Sequence, residues 1–142
     1  MEQKFTIVIV DDSDESLLLF RRYIDQLFHD RFHVNTFSDP AKALEFIANN
    51  QVSVVVSDLH MPEISGNDLL RQSKAMKKGI QFYVQTADHT ASAALVSFLD
   101  GADGFFLKPL DKATVAEELG RCIERLDAWN RIFESAFKKQ SA

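Results

Sequence analysis

Short apolar runs alternate along the chain with longer segments in which apolar residues recur every three or four positions. Such runs, rich in β-branched and aromatic residues, are typical of strands, and the longer spacing is typical of helices. The run at 32–37 alternates apolar with polar residues, which predicts a shorter strand at an edge of a sheet. The predicted strands cover residues 5–10, 32–37, 52–58, 80–87 and 104–109.

The segments between these runs carry signals for the start and end of helices. Ser13 or Asp14 is a candidate cap for the first helix, and the second helix opens with Pro40 in its first turn. The third and fourth helices end at glycine-containing segments. From Asp111 to about Lys139 the chain has no proline, which predicts one long helix.

Strand and helix therefore alternate five times in a chain whose 142 residues suit one domain. Buried strands that alternate with helices favour an α/β fold with right-handed crossovers. We predict a five-stranded parallel sheet flanked by five helices, doubly wound and flavodoxin-like, (βα)5, with an extended C-terminal helix. In such sheets the functional crevice lies beyond the carboxyl ends of the strands.

Composition narrows the range of functions. The formal net charge of −5 argues against a surface for nucleic acid or anionic membranes, so we expect no direct nucleic-acid binding. One cysteine, Cys122, allows no internal disulfide and favours a reducing, cytoplasmic location. The apolar run at 5–10 is too short to cross a bilayer core of about 30 Å, so we expect no membrane association.

Acidic and polar side chains stand where the predicted strands end. The first strand is followed by Asp11 and Asp12, and the third, fourth and fifth end at Asp58, Thr86 and Lys108. Three carboxylates at one sheet edge repel one another and raise each other's pKa, unless a cation or a lysine lies among them. Oxygen ligands favour Mg²⁺, for which Mn²⁺ could substitute, and Lys108 is the expected ammonium partner of Asp58.

The same set of side chains suits phosphoryl transfer to a carboxylate. Asp58 is the candidate nucleophile, as in other aspartyl-phosphate chemistry. A cation and Lys108 would balance the charge on the phosphoryl oxygens, and the hydroxyl of Thr86 could hydrogen-bond the attached group.

Four short motifs occur together in one order: "VDD" at 10–12, "SDLHMPEISG" at 57–66, "QTAD" at 85–88 and "LKP" at 107–109. In order and spacing they resemble the receiver domain of the two-component response regulator family, over about residues 4–126. The resemblance implies that Asp58 accepts a phosphoryl group from a sensor histidine kinase or a histidine phosphotransfer protein. It also implies a phosphoacceptor switch with slow autodephosphorylation rather than an enzyme.

The resemblance implies a role for further residues as well. Asp11 and Asp12 would hold Mg²⁺ with Asp58, Asp12 as a direct ligand, and the backbone carbonyl of His60 would complete the protein's ligands. The bond between Lys108 and Pro109 would be cis.

In that family a threonine and an aromatic residue form the switch, which corresponds to Thr86 and Phe105. Thr86 and Lys108 would contact the phosphoryl group, and the fourth helix, fifth strand and fifth helix would form the surface that changes. His60 and Asp88 would flank the entry of the attacking water and tune the lifetime of the phosphoryl group.

The C-terminal helix continues past the part that the resemblance covers. Its apolar residues follow a heptad seam: Val115, Leu119, Cys122, Leu126, Trp129, Phe133 and Ala136. We predict a receiver domain at 1–126 and a helical extension at 127–142 that serves as a coiled coil or linker. Exposed aromatic residues there would form a costly apolar patch, which predicts pairing with a second copy or with a partner. A homodimer would form through this helix or through the helix 4–strand 5–helix 5 face. The alternative is a helix that folds back on its own domain.

Two other functions fit part of the pattern. A phosphatase of the haloacid dehalogenase kind also places an aspartate nucleophile after a strand, but it requires a second aspartate where this chain has His60. A receiver-like interaction module that acts without phosphorylation would normally lack one of Asp58, Asp12 or Lys108, and all three are present. The cognate kinase, the output and the completeness of the chain stay open.

Overall fold

Strands and helices alternate throughout residues 3–141, the part of the chain that the computed structural model describes. The strands are β1 (Phe5–Val10), β2 (Phe32–Phe37), β3 (Val54–Asp58), β4 (Gln81–Thr86) and β5 (Gly104–Leu107). The helices are α1 (Asp14–Leu27), α2 (Pro40–Asn49), α3 (Gly66–Ala75), α4 (Ala91–Leu99) and α5 (Lys112–Ser141). The predicted order of elements is confirmed.

The five strands form one parallel sheet in the order β2-β1-β3-β4-β5. β1 pairs with β2 and β3, β4 joins β3, and β5 joins β4, every pair parallel. β2 lies at an edge, as its alternating sequence predicted. The doubly wound α/β class is confirmed, and the carboxyl ends of all five strands lie along one edge of the sheet.

Helices cover both faces of the sheet, which explains why the central strands are continuously apolar. The α1/α5 core contains Ile7, Ile9, Phe20, Tyr83, Phe106, Val115, Leu119 and Cys122. The opposite α2/α3/α4 core contains Val8, Val10, Ala43, Ile47, Leu69, Leu70, Phe82 and Val84. Successive residues of β1 and β4 alternate between the two cores. Whether a residue has an odd or even number within its strand, its parity, therefore decides which face of the sheet its side chain lies on.

Capping side chains set the starts of the helices. The Ser13 hydroxyl accepts the N–H of Ser16 at 3.3 Å, which resolves the choice of cap for α1 in favour of Ser13. α3 begins with a capping box: Ser65 Oγ accepts the N–H of Asp68, and Asp68 Oδ2 accepts the N–H of Ser65. β5 ends at Leu107, two residues before the predicted limit, because Pro109 has no N–H to continue the ladder.

α5 is one unbroken helix of 30 residues, about 45 Å long at 1.5 Å per residue. Its first half packs on the sheet, and an ion pair of 2.7 Å between Arg31 and Asp127 holds it where it leaves the domain. The helix does not turn back, so the alternative of a refolded extension is wrong. The large apolar side chains of the second half are exposed: Trp129 56%, Ile132 53%, Phe133 50% and Phe137 65%.

Candidate functional site

The sheet brings the predicted site residues to one edge. Asp58 and Thr86 are the last residues of β3 and β4, while Asp11 and Lys108 directly follow β1 and β5. Backbone hydrogen bonds hold these positions together. Asp11 N–H donates to Phe37 O at 3.1 Å, and Lys108 N–H donates to Thr86 O at 2.8 Å. The Lys108–Pro109 peptide bond is cis, as predicted.

Three carboxyl groups form an acidic cluster at this edge. Asp11, Asp12 and Asp58 each offer one oxygen, and these three oxygens lie within 4.8 Å of one another. Asp11 and Asp58 are buried, whereas Asp12 is exposed. A cluster of carboxylate oxygens open to water on one side fits Mg²⁺, which prefers oxygen ligands and keeps several water molecules. The peptide N–H of His60 lies 3.4 Å from Asp58 Oδ1, so the predicted fourth ligand residue borders the cluster.

The ammonium group of Lys108 lies between two of these carboxylates. Its Nζ donates to Asp11 Oδ2 at 2.8 Å and to Asp58 Oδ2 at 3.4 Å. The expected ion pair with Asp58 is thus present, and Asp11 is a second and nearer partner. Burial alone would lower the pKa of Lys108, but its bond to Asp11 and the charges of Asp11 and Asp58 raise it.

The environment of Asp58 opposes its ionisation. Burial raises the pKa of the Asp58 carboxyl above its ordinary value, and the charge of Asp11 acts in the same direction. Lys108 and the N–H of His60 counteract this only in part. Asp58 therefore sits in a site that disfavours its negative charge and gains from any added positive charge.

Thr86, Asp88 and His60 surround the opening of the site beside Asp58. Thr86 is buried, and its Oγ1 accepts the N–H of Asp88 at 3.0 Å. Asp88 in turn accepts the N–H of Thr90 at 3.0 Å, and hydrogen bonding by the Thr90 side chain, followed by this N–H, lowers the pKa of Asp88. Asp88 Oδ2 lies 3.4 Å from His60 Nε2, so the two predicted lifetime residues contact each other.

The predicted switch aromatic, Phe105, is half-buried on β5. It packs against the α2/α3/α4 core, on the same side of the sheet as Thr86. This places Phe105 near α4, whose outer face is unusually apolar. Five large exposed apolar side chains lie on α4 and β5: Leu95, Val96, Phe98, Leu99 and Leu107.

Gln85 belongs to the site but was not predicted. Its side chain is buried on the α1/α5 side of β4, and its Nε2 donates to Asp11 Oδ2 at 3.1 Å. The sequence did hold a signal, because Gln85 is a polar residue in an otherwise apolar strand and shares the parity of buried Tyr83.

Fold and site together define a class: doubly wound α/β proteins with an acidic cluster and a lysine at the carboxyl edge of the sheet. Residues 7–120 match the response regulator receiver domain family. The chain therefore belongs to this family, whose domains generally use Mg²⁺ and interact with partners of the histidine kinase type.

Individual relatives are distant in sequence and close in fold. The chain is 23% identical over 124 residues to response regulator SaeR of Staphylococcus aureus, an alignment that covers 87% of this chain and 53% of SaeR. It thus spans about half the length of the curated relatives it matches. A CheY-like receiver domain from Methanospirillum hungatei is similar with a TM-score of 0.78 at 20% identity, covering 88% of this chain and 98% of that one.

A receiver domain from Clostridium thermocellum gives a TM-score of 0.77 at 24% identity, with 88% of this chain and 98% of that chain covered. At these identities the similarity establishes the CheY-like fold. Within residues 3–141, no helix has both the length and the apolar character needed to span a membrane.

Proposed function

We propose that the chain is a phosphorylation-dependent switch in which Asp58 accepts a phosphoryl group from a sensor histidine kinase or a histidine phosphotransfer protein. The observation that carries this proposal is the buried Asp58 carboxyl, with Asp11 and Asp12 within 4.8 Å and Lys108 Nζ at 3.4 Å. We place the protein in the cytoplasm, where histidine kinases present their phosphoryl groups. It acts on itself rather than on a separate substrate, so it is a signalling protein and not an enzyme.

In the transfer step, an oxygen of Asp58 forms a bond to phosphorus while the bond from phosphorus to the donor's imidazole nitrogen breaks. The imidazole leaves with the bonding electron pair and takes up a proton from water. A bound Mg²⁺ would supply positive charge to the phosphoryl oxygens. Lys108 shifts from Asp11 towards the phosphoryl group, and the Thr86 hydroxyl donates a hydrogen bond to it.

The attached group carries about −1.5 to −2 charges and strong acceptor oxygens. When Thr86 turns towards it, its bond to the N–H of Asp88 breaks, and the vacated space admits Phe105. We propose that this change reaches the apolar face of α4 and β5. His60 and Asp88, which meet at 3.4 Å beside Asp58, tune the access of water to the acyl phosphate.

The metal requirement tests this proposal directly. With acetyl phosphate and Mg²⁺, intact-mass spectrometry is expected to show one added phosphoryl group on the protein. With EDTA in place of Mg²⁺ the rate is expected to fall at least about 100-fold, because the repulsion among three carboxylates and the incoming anion is then unrelieved. Equal rates with and without the chelator would contradict the proposed chemistry.

We further propose that the protein forms a homodimer through the second half of α5 or through the α4–β5–α5 face. Trp129 and Phe133 stack at 5.7 Å on α5, beside exposed Ile132, and such apolar surface on a helix favours burial in a partner. Both surfaces are apolar, and only α5 projects beyond the domain.

Charged substitutions on α5 distinguish the two surfaces. Phe133→Glu is expected to weaken self-association more than tenfold in analytical ultracentrifugation, because it places a charge in the apolar seam. Ser135→Glu on an adjacent exposed position of the same helix is the matched control and should leave association unchanged. If both variants associate like the wild type, the helix is not the dimer surface and the α4–β5–α5 face takes its place.

A further inference from the structure

Gln85 is a buried polar residue at the end of an apolar strand. It is 1% exposed, and the residue before it and the one two positions earlier, Val84 and Tyr83, are both core residues. A primary amide is costly to bury unless its hydrogen bonds are made. Its position is therefore explained by the bond that its Nε2 makes with Asp11 Oδ2 at 3.1 Å.

The carboxylate of Asp11 has three donors around it. Oδ1 accepts the N–H of Ser13 at 2.9 Å, while Oδ2 accepts both Gln85 Nε2 and Lys108 Nζ. A carboxylate oxygen has about two acceptor positions, so Oδ2 is fully used and Oδ1 keeps one. Donors at both oxygens thus fix the plane of the Asp11 carboxylate. One of these donors, Gln85, lies on β4, which β3 separates from β1.

Of the two donors on Oδ2, only Gln85 is stationary. Lys108 has a flexible stem and lies 3.4 Å from Asp58 Oδ2 as well, so it is shared between two carboxylates. Gln85 is neutral, and its main chain is held in β4, the strand that also contains Tyr83 and Thr86. Its side-chain amide donates to the Asp11 carboxylate and is not shared with Asp58. When Lys108 moves to a phosphoryl group on Asp58, Gln85 is the donor that stays on Oδ2.

We propose that Gln85 is a positioning residue of the cation site: its side-chain amide holds the Asp11 carboxylate in the orientation in which it binds a divalent cation, independently of Lys108. The inference rests on the proposed function, because it requires that the acidic cluster binds a cation. Hydrogen-bonding partners of ligating carboxylates typically change metal affinity 10- to 100-fold when they are removed.

The test measures cation binding apart from phosphorylation. Mn²⁺ serves as the probe, and electron paramagnetic resonance reports the free ion during titration. Gln85→Met keeps the length of the side chain and removes the amide, and it is expected to raise the Mn²⁺ dissociation constant about tenfold. The half-saturating Mg²⁺ concentration for phosphorylation by acetyl phosphate should rise by a similar factor. The change is expected mainly in this Mg²⁺ concentration and less in the rate at saturating Mg²⁺, because the Gln85 amide donates to Asp11 and not to Asp58, its register partner in β3.

Tyr83→Phe is the matched control, since it removes a buried hydrogen-bonding group from the same strand and the same face. Tyr83 accepts a bond of 2.7 Å from Arg125 and does not touch the acidic cluster. Its Mn²⁺ affinity should equal that of the wild type even if the protein melts at a lower temperature. Gln85→Val, which suits a strand better, provides a second variant without the amide.

Each outcome decides a definite point. A Mn²⁺ affinity of folded Gln85→Met within twofold of wild type would overturn the inference and leave the proposed function intact. If neither Gln85 variant folds, the amide contributes to the stability of the core, and the inference that it positions Asp11 is also overturned. If wild-type protein binds no Mn²⁺ at all, both the inference and the proposed metal-dependent function fall.

Discussion

Asp58→Asn is expected to abolish phosphorylation by acetyl phosphate and, at neutral pH, to raise the melting temperature of the protein. The first effect follows because the amide of asparagine is not a nucleophile comparable to a carboxylate. The acidic cluster contains two other aspartates that could be phosphorylated instead. Of these, Asp11 already accepts hydrogen bonds from Ser13, Gln85 and Lys108. The expected result by intact-mass spectrometry is no added phosphoryl group.

The gain in stability follows from the raised pKa of Asp58. Between the unfolded pKa, about 3.9, and the higher folded pKa, the folded protein holds a proton that the unfolded chain has released. The free energy of unfolding therefore falls as pH rises through this interval, and ionised Asp58 is a net cost above it. Asparagine removes that cost. We therefore expect a higher Tm at neutral pH, where each 1 kcal/mol corresponds to about 3 °C in a domain of this size.

The pH dependence provides the sharper measurement. The advantage of Asp58→Asn should shrink as pH falls through the folded pKa and vanish below about pH 3.9, where Asp58 is neutral in both states. Asp30→Asn makes the same chemical change at an exposed residue far along the sequence from the cluster, and should alter neither phosphorylation nor Tm appreciably. A lower Tm of Asp58→Asn at neutral pH would show that Lys108 stabilises the carboxylate more than burial opposes it.

Much of this site could be predicted because the sequence pattern shows where the strands end. Each of β1, β3 and β4 is mostly apolar, and parallel pairing forces the residues that follow Val10, Ser57 and Gln85 to one edge. The fold and the meeting of Asp11, Asp58, Thr86 and Lys108 follow from that rule and from the resemblance. The roles assigned to these residues stay predictions until the experiments are done.

Details within the site depend on side-chain direction, which strand assignment alone does not reveal. The predicted contact of Lys108 with Asp58 is present at 3.4 Å, but Asp11, which the sequence does not single out as its partner, is nearer at 2.8 Å. Gln85 was overlooked because a polar residue near a strand end has many ordinary explanations. The contact of Gln85 with Asp11 follows from parity, since Gln85 in β4 and Asp11 after β1 both lie on the α1/α5 side of the sheet.

The apolar half of α5 posed a different difficulty. The heptad pattern from Val115 to Ala136 is continuous, but its first residues pack on the sheet and its later residues do not. One heptad pattern thus covers both the part of α5 that packs on the sheet and the part that does not, and sequence periodicity does not mark where the packing ends. In the structure Leu126 is half-buried and Asp127 pairs with Arg31. Asn130 Nδ2 still donates to Gln3 Oε1 at 2.7 Å, so contacts with the domain continue as far as Asn130.

Gly66→Ala is expected to destabilise the protein by about 3 kcal/mol and to impair phosphorylation at Asp58, although residue 66 makes no contact with the cation or phosphoryl group. A Cβ at this position would lie 2.7 Å from the Cα of Leu59 and would also press on the carbonyl oxygen of Asp58. Both are main-chain atoms at the end of β3, so no side-chain rotation relieves the overlap.

The backbone around Gly66 has little room to yield. Gly66 N–H donates to Leu59 O at 2.9 Å, and Leu59 N–H donates to Gln85 O at 2.9 Å, which ties the start of α3 to β3 and β4. The capping box of Ser65 and Asp68 fixes the first turn of the helix. Relief of the overlap therefore requires either α3 or the strand end that carries Asp58 to move.

Urea unfolding of Gly66→Ala and Gly120→Ala separates this overlap from the ordinary effect of replacing a helical glycine. A Cβ at Gly120, within α5, meets no atom within 4 Å, so this variant should gain up to about 1 kcal/mol from the better helix propensity of alanine. Gly66→Ala should show a lower midpoint with an unchanged m-value, and a slower reaction with acetyl phosphate in the fraction that remains folded. A wild-type midpoint for Gly66→Ala would mean that the end of β3 tolerates displacement, and the tight coupling of Asp58 to the start of α3 would then be wrong.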